Sequence, residues 1–282
     1  MRVQTIPQNA RRHTLTLSSF AWNPTFGFAG GNNHALAHCD TEFVALLNPD
    51  AFPEPGWLGS LLQAAAARAD VAAFGSRQLQ DSQCSILDGI GDTYVISGLV
   101  SRKRDGMLQE PRDLFSQEVF SPCAAAALYR RQAILRIGGF DADFFCYMED
   151  VDLGFRLRLA GQKAMYVPDA VVRHIGSATT GGRRSDFSVY HGHRNLIWTY
   201  FKNMPGILLW LLLPLHVAAN VIAIARYAAV GRWRIIVKAK LHAILGLREV
   251  WNKRRRIQAA RNASVGEIWR VLDKRFWTTR HD

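Results

Sequence analysis

Residues 43–50 read Phe-Val-Ala-Leu-Leu-Asn-Pro-Asp. Five consecutive apolar residues closed by a turn sequence predict a short buried strand that stops at a loop. Asp50 stands at that strand's exit. In an open α/β sheet, ligands gather beyond the carboxyl ends of strands. A carboxylate there can bind Mg²⁺ or Mn²⁺, which take one or two carboxylates plus substrate phosphates. Asn-Pro-Asp is equally good turn chemistry, and spacing alone leaves both readings open.

Outward from this strand, the pattern alternates. Trp57 to Ala69 predicts a Leu- and Ala-rich helix. Val71 to Phe74 predicts a strand closed by Gly75. Residues 76–118 are polar and dotted with Gly and Asp, and read as strand edges and loops. Arg131 to Ile137 predicts a short helix ending at Gly138-Gly139. Asp150 to Ala160 predicts a stronger one, with Val151, Phe155 and Leu159 on one face and Gly161 at its end. Ala164 to Val167 predicts a strand broken by Pro168. Strands alternating with helices indicate α/β layers. Beyond about residue 200 the pattern is purely helical, giving two expected units, 1–200 and 201–282.

The 282 residues, 49% hydrophobic, suffice for a core domain plus an appendage. Cys39, Cys84, Cys123 and Cys146 form no CxxC pair, so neither a zinc site nor a disulfide scaffold is indicated, and a reducing compartment fits. Met1 to Thr14 lack the apolar stretch of a secretion signal. The net charge is +12, and it is concentrated: 14 of the 35 Lys and Arg residues, but only four of the 23 acidic ones, follow residue 230. A basic tail suits nucleic acid or an anionic membrane. Residues 207–225 (ILLWLLLPLHVAANVIAIA) precede it and approach the ~20 residues that span a bilayer. Pro214, His216 and Asn220 interrupt the run. A span, an interfacial or re-entrant helix and a buried core helix are all open, and the basic tail weights the reading toward a membrane surface.

Glu149, Asp150 and Asp152 place three carboxylates in four residues at a helix start. One could be a cap; three exceed that need. Apolar walls from Phe144-Phe145-Cys146-Tyr147-Met148 suit a general base. His174 precedes a Gly/Ser/Thr loop, residues 176–182, followed by Arg183-Arg184, which could fold over a diphosphate. Gly27-Phe28-Ala29-Gly30-Gly31-Asn32-Asn33 reads as a small-residue turn, neither a Walker loop nor G-x-G-x-x-G, whose Asn residues could cap a following helix.

In order, these stretches resemble the family 2 glycosyltransferases, in the rhamnosyltransferase-like and galactofuranosyltransferase-like branch. The matching segments are Asn23 through Asn33, Leu46 to Asp50, Gly138 to Asp141, Phe144 to Asp152 with Arg156, Val167 to His174, and Arg194-Asn195, covering about residues 20 to 205. The resemblance implies a GT-A fold, a Rossmann-like sheet with a nucleoside-diphosphate sugar donor at its strand ends. It implies that Asp50 binds the divalent metal (Mg or Mn), with His174 a further ligand. Asn23, Gly27, Phe28, Gly30, Asn32, Asn33 and Asn48 would lie on the donor side. Asp150 would be the base, with Glu149 and Asp152 shaping the acceptor side and Arg156, Arg194 and Asn195 at the acceptor side or the floor. The implied chemistry is a single inverting displacement onto a glycan or polyprenyl-linked acceptor, with a rhamnose-like sugar, in cell-surface polysaccharide synthesis. The implied place is the cytoplasmic face of a bacterial inner membrane, as a peripheral or monotopic protein.

Members of the family open with a strand, a helix and a second strand, and a unit of ~30 residues has no room before Asn23. Residues 13–17 are expected to supply one strand, so the expected fold is a GT-A domain short of its first unit. Ser121-Pro122-Cys123-Ala124 stands where the family tends to have a Gly-Ala pair. A non-catalytic remnant that binds a membrane or a partner enzyme is the alternative function. Nucleic-acid binding, suggested by residues 253–261, is disfavoured because the charge adjoins an apolar helix and the body is nearly neutral.

Overall fold

The computed structural model describes residues 2–5, 16–19, 26–176 and 185–278. Its centre is a nine-stranded mixed sheet. Strands β1 (Arg2–Thr5) and β2 (Thr16–Ser19) pair antiparallel, and β1 lies along β3 (Phe43–Leu47). Two strands therefore stand where one was expected. β10 (Ala126–Arg130) runs antiparallel between β3 and β5 (Val71–Gln80). β11 (Lys163–His174) lies parallel to β5, and β4 (Ala51–Pro53) closes that edge antiparallel to β11. β3, β5 and β11 thus point one way, and their carboxyl ends share an edge with the start of β10.

Side-chain alternation along the strands creates two cores. Val44, Leu46, Ala127 and Tyr129 face one apolar cluster, packed by α1 (Gly27–Ala37), α3 (Arg131–Arg136) and α4 (Glu149–Leu159). Ala45, Ala126, Leu128 and Phe74 face the other, covered by Trp57, Leu61 and Ala65 of α2 (Trp57–Ala67).

Two strand boundaries differ from expectation. β5 continues through Gly75 to Gln80 because that glycine lets the chain at Pro122 approach; a Cβ there would lie 2.9 Å from the Pro122 side chain. β11 continues past Pro168, the ladder shifting register between Val167 and Val171 so that the missing N–H falls in a bulge. Residues 76–118 hold β6 (Gln83–Gly89), β7 (Asp92–Tyr94), β8 (Val100–Arg102) and β9 (Gln117–Val119). The β7–β8 hairpin is strapped by the distant C-terminal segment: Asp273 N–H donates to Tyr94 O at 2.8 Å, Ile96 N–H to Asp273 O at 2.9 Å, and Ser97 Oγ to Phe276 O at 2.6 Å.

The helical part begins at α5 (Asp186–Asn203) and continues through α6 (Gly206–Ala229), α7 (Trp233–Leu245), α8 (Leu247–Ala259) and α9 (Val265–Val271). α5 runs unbroken across residue 200. A third apolar cluster joins Tyr94, Phe120 and Phe155 to Tyr200, Leu208, Leu209, Leu212 and Ile268, so the helices share a core with the sheet layer.

Candidate active site

The pairing of β4 with β11 brings Asp50 to His174. Ala51 is registered opposite His174, and Ile175 N–H donates to Asp50 O at 3.0 Å. The His174 Nε2 then stands 3.5 Å from Asp50 Oδ1, both side chains nearly buried. On the other side of the ring, Nδ1 is 2.7 Å from Asp88 Oδ2. Asp88 sits at the end of β6, which pairs with the carboxyl end of β5. A carboxylate only accepts, so Nδ1–H donates to Asp88, and Nε2, which has no hydrogen-bond partner, faces the Asp50 carboxylate. An imidazole nitrogen and a carboxylate facing each other can share a cation, and a carboxylate on the far nitrogen is the usual support of a metal-binding imidazole. His174 and Asp50 therefore fit a divalent ion that completes its shell with water and phosphate oxygens. Among the described residues no group of three or more His, Cys, Asp or Glu side chains is placed to hold a metal ion.

Asp150 reaches the same sheet edge from α4. Its Oδ2 accepts the Ala124 N–H at 3.2 Å, and the neighbouring Ala125 O accepts the Asn48 N–H at 2.8 Å. The loop entering β10 thus links the end of β3 to the start of α4. Gly154 is required for this contact: a Cβ there would lie 2.2 Å from Ser121 Cβ.

Arg102, carried in on β8, lies between the two corners. It donates to Asp88 Oδ2 at 2.9 Å and to Cys123 Sγ at 2.7 Å, and stands 3.8 Å from Asp92 Oδ1. Burial, with the negative charge of Asp150 added, pushes the Asp92 carboxyl up to about 7. Burial and Asp150 likewise push the Glu149 carboxyl well above its ordinary range. Among the described residues, the carboxylates of Asp50, Asp88 and Asp150 outnumber the Arg102 guanidinium at this edge, which favours a cation there.

Asp152 and Arg156 point the other way. Asp152 is fully buried; its Oδ2 accepts from Arg156 Nε at 2.8 Å, and its Oδ1 from Asn203 Nδ2 at 2.7 Å and Lys202 Nζ at 2.8 Å. Arg156 also donates to the Ile137 and Gly139 carbonyls. This pair ties α4 to the Gly138-Gly139 turn and to α5, and does not line the edge that holds Asp50, His174 and Asp150.

The stretch expected as a turn is α1 itself, starting at Gly27 with Phe26 before it and no side-chain cap. Asn32 and Asn33 lie inside the helix. Asn32 bonds the Phe28 carbonyl, and Asn33 grips Phe140 through both its N–H and its carbonyl, at 2.8 and 2.7 Å. Phe28 N–H donates to Phe145 O at 2.7 Å, and Gly27 packs so closely that a Cβ would lie 2.5 Å from the Phe145 ring. Gly30 lies on Phe26. Arg194 and Asn195 of α5 meet the same loop from the opposite side, bonding carbonyls between Asp143 and Tyr147. Asn23 and the loop at 177–184, with Arg183 and Arg184, lie outside the described residues.

Asp88, Asp92 and Arg102 escaped the sequence reading because they fall in residues 76–118. The signal was Asp88-Gly89-Ile90-Gly91-Asp92, two acids each beside a glycine. Gly89 is needed for Arg102 to pass, since a Cβ would lie 2.2 Å from its stem.

A family described as "Glycosyltransferase like family 2" matches residues 8–195. The N-acetylglucosaminyl-diphospho-decaprenol L-rhamnosyltransferase of Mycobacterium tuberculosis is 34% identical over 158 residues, 50% of this chain and 49% of that protein. The rhamnosyltransferase WbbL of Escherichia coli K12 is 27% identical over 157 residues, 51% of this chain and 58% of that protein. This chain spans about half the length of the curated relatives it matches. Among solved structures, GalNAc-T7 with UDP, GalNAc and Mn²⁺ shows a TM-score of 0.49 at 12% identity, over 63% of this chain and 35% of that one.

Proposed function

The chain belongs to glycosyltransferase family 2, with the mixed α/β sheet of a GT-A enzyme, and we propose that it transfers a rhamnose-like sugar from a nucleoside-diphosphate donor to a glycan or polyprenyl-linked acceptor, with inversion. The observation that carries this reading is the Asp50–His174 pair, backed by Asp88, at the same sheet edge as Asp150. The sugar and the lipid-linked acceptor are suggested by the names of the two relatives.

Asp50 and His174 would hold a Mg²⁺ or Mn²⁺ ion, which when bound supplies charge stabilisation to a departing diphosphate. Asp88 fixes the His174 tautomer. Asp150 takes the proton of the acceptor hydroxyl while that oxygen bonds the anomeric carbon. The bond from that carbon to the diphosphate oxygen breaks, its electron pair leaving with the nucleoside diphosphate. The Ala124 N–H holds Asp150 Oδ2 at 3.2 Å and the Val151 N–H holds Oδ1 at 2.8 Å, which fixes the carboxylate between the β10 loop and the start of α4. Burial and the Asp150 charge push the neighbouring Glu149 carboxyl well above its ordinary range, and the family resemblance gives the base role to Asp150.

α6 supports a place at the membrane surface. It has 24 residues and contains an 18-residue stretch of mean hydropathy 2.3. One face packs on the protein through Leu208, Leu209, Leu212, His216, Ala219 and Ala223. His216 stacks on Tyr200 with ring centroids 3.9 Å apart and bonds Ser97 O, and Asn220 accepts from Lys240. The opposite face exposes Ile207, Trp210, Leu211, Val217, Val221 and Ile222. A helix apolar on both faces and anchored along one suits lying in the interface rather than crossing it, with the basic tail toward anionic headgroups at a cytoplasmic bacterial membrane face.

Incubation of the purified chain with Mn²⁺, nucleoside-diphosphate rhamnose and a polyprenyl-diphospho-sugar acceptor should release nucleoside diphosphate. Asp150→Asn should abolish that release. Undiminished release by the variant would remove Asp150 from the base position.

A further inference from the structure

Phe145, Tyr147 and Met148 have φ of 62°, 66° and 69°, three of the four non-glycine residues with positive φ among the described residues. L-residues resist this region, so three of them in the four residues Phe145–Met148 persist only if held from outside. This run stands directly before Glu149-Asp150, with Met148 as the residue that caps α4, and Met148 O accepts the Asp152 N–H at 2.8 Å. Where Met148 points, α4 starts, and Asp150 follows.

One buried side chain holds the run. Asn195, fully buried, directs its Nδ2 at three carbonyls: Phe144 at 2.9 Å, Cys146 at 2.9 Å and Tyr147 at 2.8 Å. Its amide has one possible orientation, because Arg194 Nε donates to its Oδ1 at 2.9 Å. Arg194 adds bonds to Asp143 O and Phe144 O, at 2.9 and 3.1 Å, and is itself fixed over the Trp198 ring at 4.3 Å. From the opposite side, Phe28 and Ala29 N–H groups at the start of α1 donate to Phe145 O.

We propose that Asn195, oriented by Arg194, is a positioning residue: it clamps the left-handed Phe145–Met148 run so that the Asp150 carboxylate stands at the sheet edge in register with the donor site. This rests on Asp150 being the base of the proposed transfer. The clamp acts on the loop before α4, and its printed bonds reach none of Asp50, Asp88 and His174. Its loss should lower kcat and leave the metal corner unaltered.

The test compares Asn195→Ala, Asn195→Ala with Met148→Gly, and Asp150→Asn in the full chain. Three quantities are read: transfer kinetics, Mn²⁺ affinity by calorimetry, and amide hydrogen exchange across residues 144–150. Asn195→Ala should lower kcat by roughly 100-fold, the scale of a misplaced catalytic group. Donor KM and Mn²⁺ affinity should move less than about threefold on the same argument. Exchange across 144–150 should rise while the β3, β5 and β11 amides stay protected. Glycine at Met148 tolerates positive φ, so the double variant should recover part of the lost kcat and protection, which a merely destabilised fold would not. Exchange across 144–150 unchanged in Asn195→Ala overturns the clamp whatever the kinetics show. If Asp150→Asn keeps full transfer, the base assignment fails instead, and exchange alone then decides the clamp.

Discussion

Replacing Asp152 by Asn should damage the fold and spare the chemistry. The carboxylate is fully buried and is shared by Arg156, Lys202 and Asn203 at 2.7–2.8 Å. Removing one partner of a buried ion pair typically costs about 3–5 kcal/mol, because the remaining charge is left uncompensated. Here part of the loss is offset. Lys202 keeps Asp141 at 2.5 Å, and Arg156 keeps the Ile137 and Gly139 carbonyls. Asn also retains one acceptor oxygen. The low end, about 3 kcal/mol, follows. For a chain of this size that is a fall in Tm of roughly 6–12 °C. Calorimetry would give the shift, and transfer assays run well below both transitions would give kcat, expected within about threefold of the parent because no transition-state contact is removed. An unchanged Tm with kcat down a hundredfold would refute the reasoning and return Asp152 to the reacting centre.

Asp88→Asn should weaken Mn²⁺ binding by about 10–100-fold in calorimetry, the usual cost of losing the carboxylate behind a metal-binding imidazole; unchanged affinity would dissociate Asp88 from the metal corner. The Asp92 carboxyl titrates near 7 in the fold, above its ordinary 3.8. The native state therefore binds more protons than the unfolded state between those values, and stability falls as pH rises from about 4 to 7. Asp92→Asn should flatten that slope in urea-denaturation midpoints taken at pH 5 and pH 8, and an identical slope in both proteins would exclude Asp92 as its source. Trp210→Glu with Leu211→Glu should release the chain from anionic vesicles in flotation, since each charge enters the apolar face of α6; retained binding would place the contact elsewhere.

The legible parts of the fold were those where one local signal dominates. The apolar run 43–47, the Leu- and Ala-rich α2 and the Val151–Phe155–Leu159 stripe of α4 all appear where their periodicity puts them. Gly75 and Pro168 misled because they carry tertiary information: one admits Pro122, the other sits in a bulge against β5. Asp50, Asp150 and His174 stood out in the sequence as candidates, and the sheet brings them to one edge. The partners that orient them were not. Asp88 and Arg102 owe their place to strand pairings across a polar stretch without a period, and Asn195 to a packing of α5 on a loop 50 residues earlier. The carboxylates of Glu149, Asp150 and Asp152 look alike in sequence, yet helical geometry turns them to different surroundings.

The strap from Asp273 to Phe276 over the β7–β8 hairpin has a temporal consequence. Ser97 and Phe276 are 179 residues apart, a closure that costs about 5 kcal/mol of chain entropy by the logarithmic rule. Such a contact forms late, after the sheet and helices have shortened the effective loop. The hairpin it secures is the one that carries Arg102 between the metal corner and Asp92. On a ribosome, where the N-terminal part emerges first, the sheet can assemble while this guanidinium is still loosely held. The electrostatic centre of the site is then completed only when the last helix has docked.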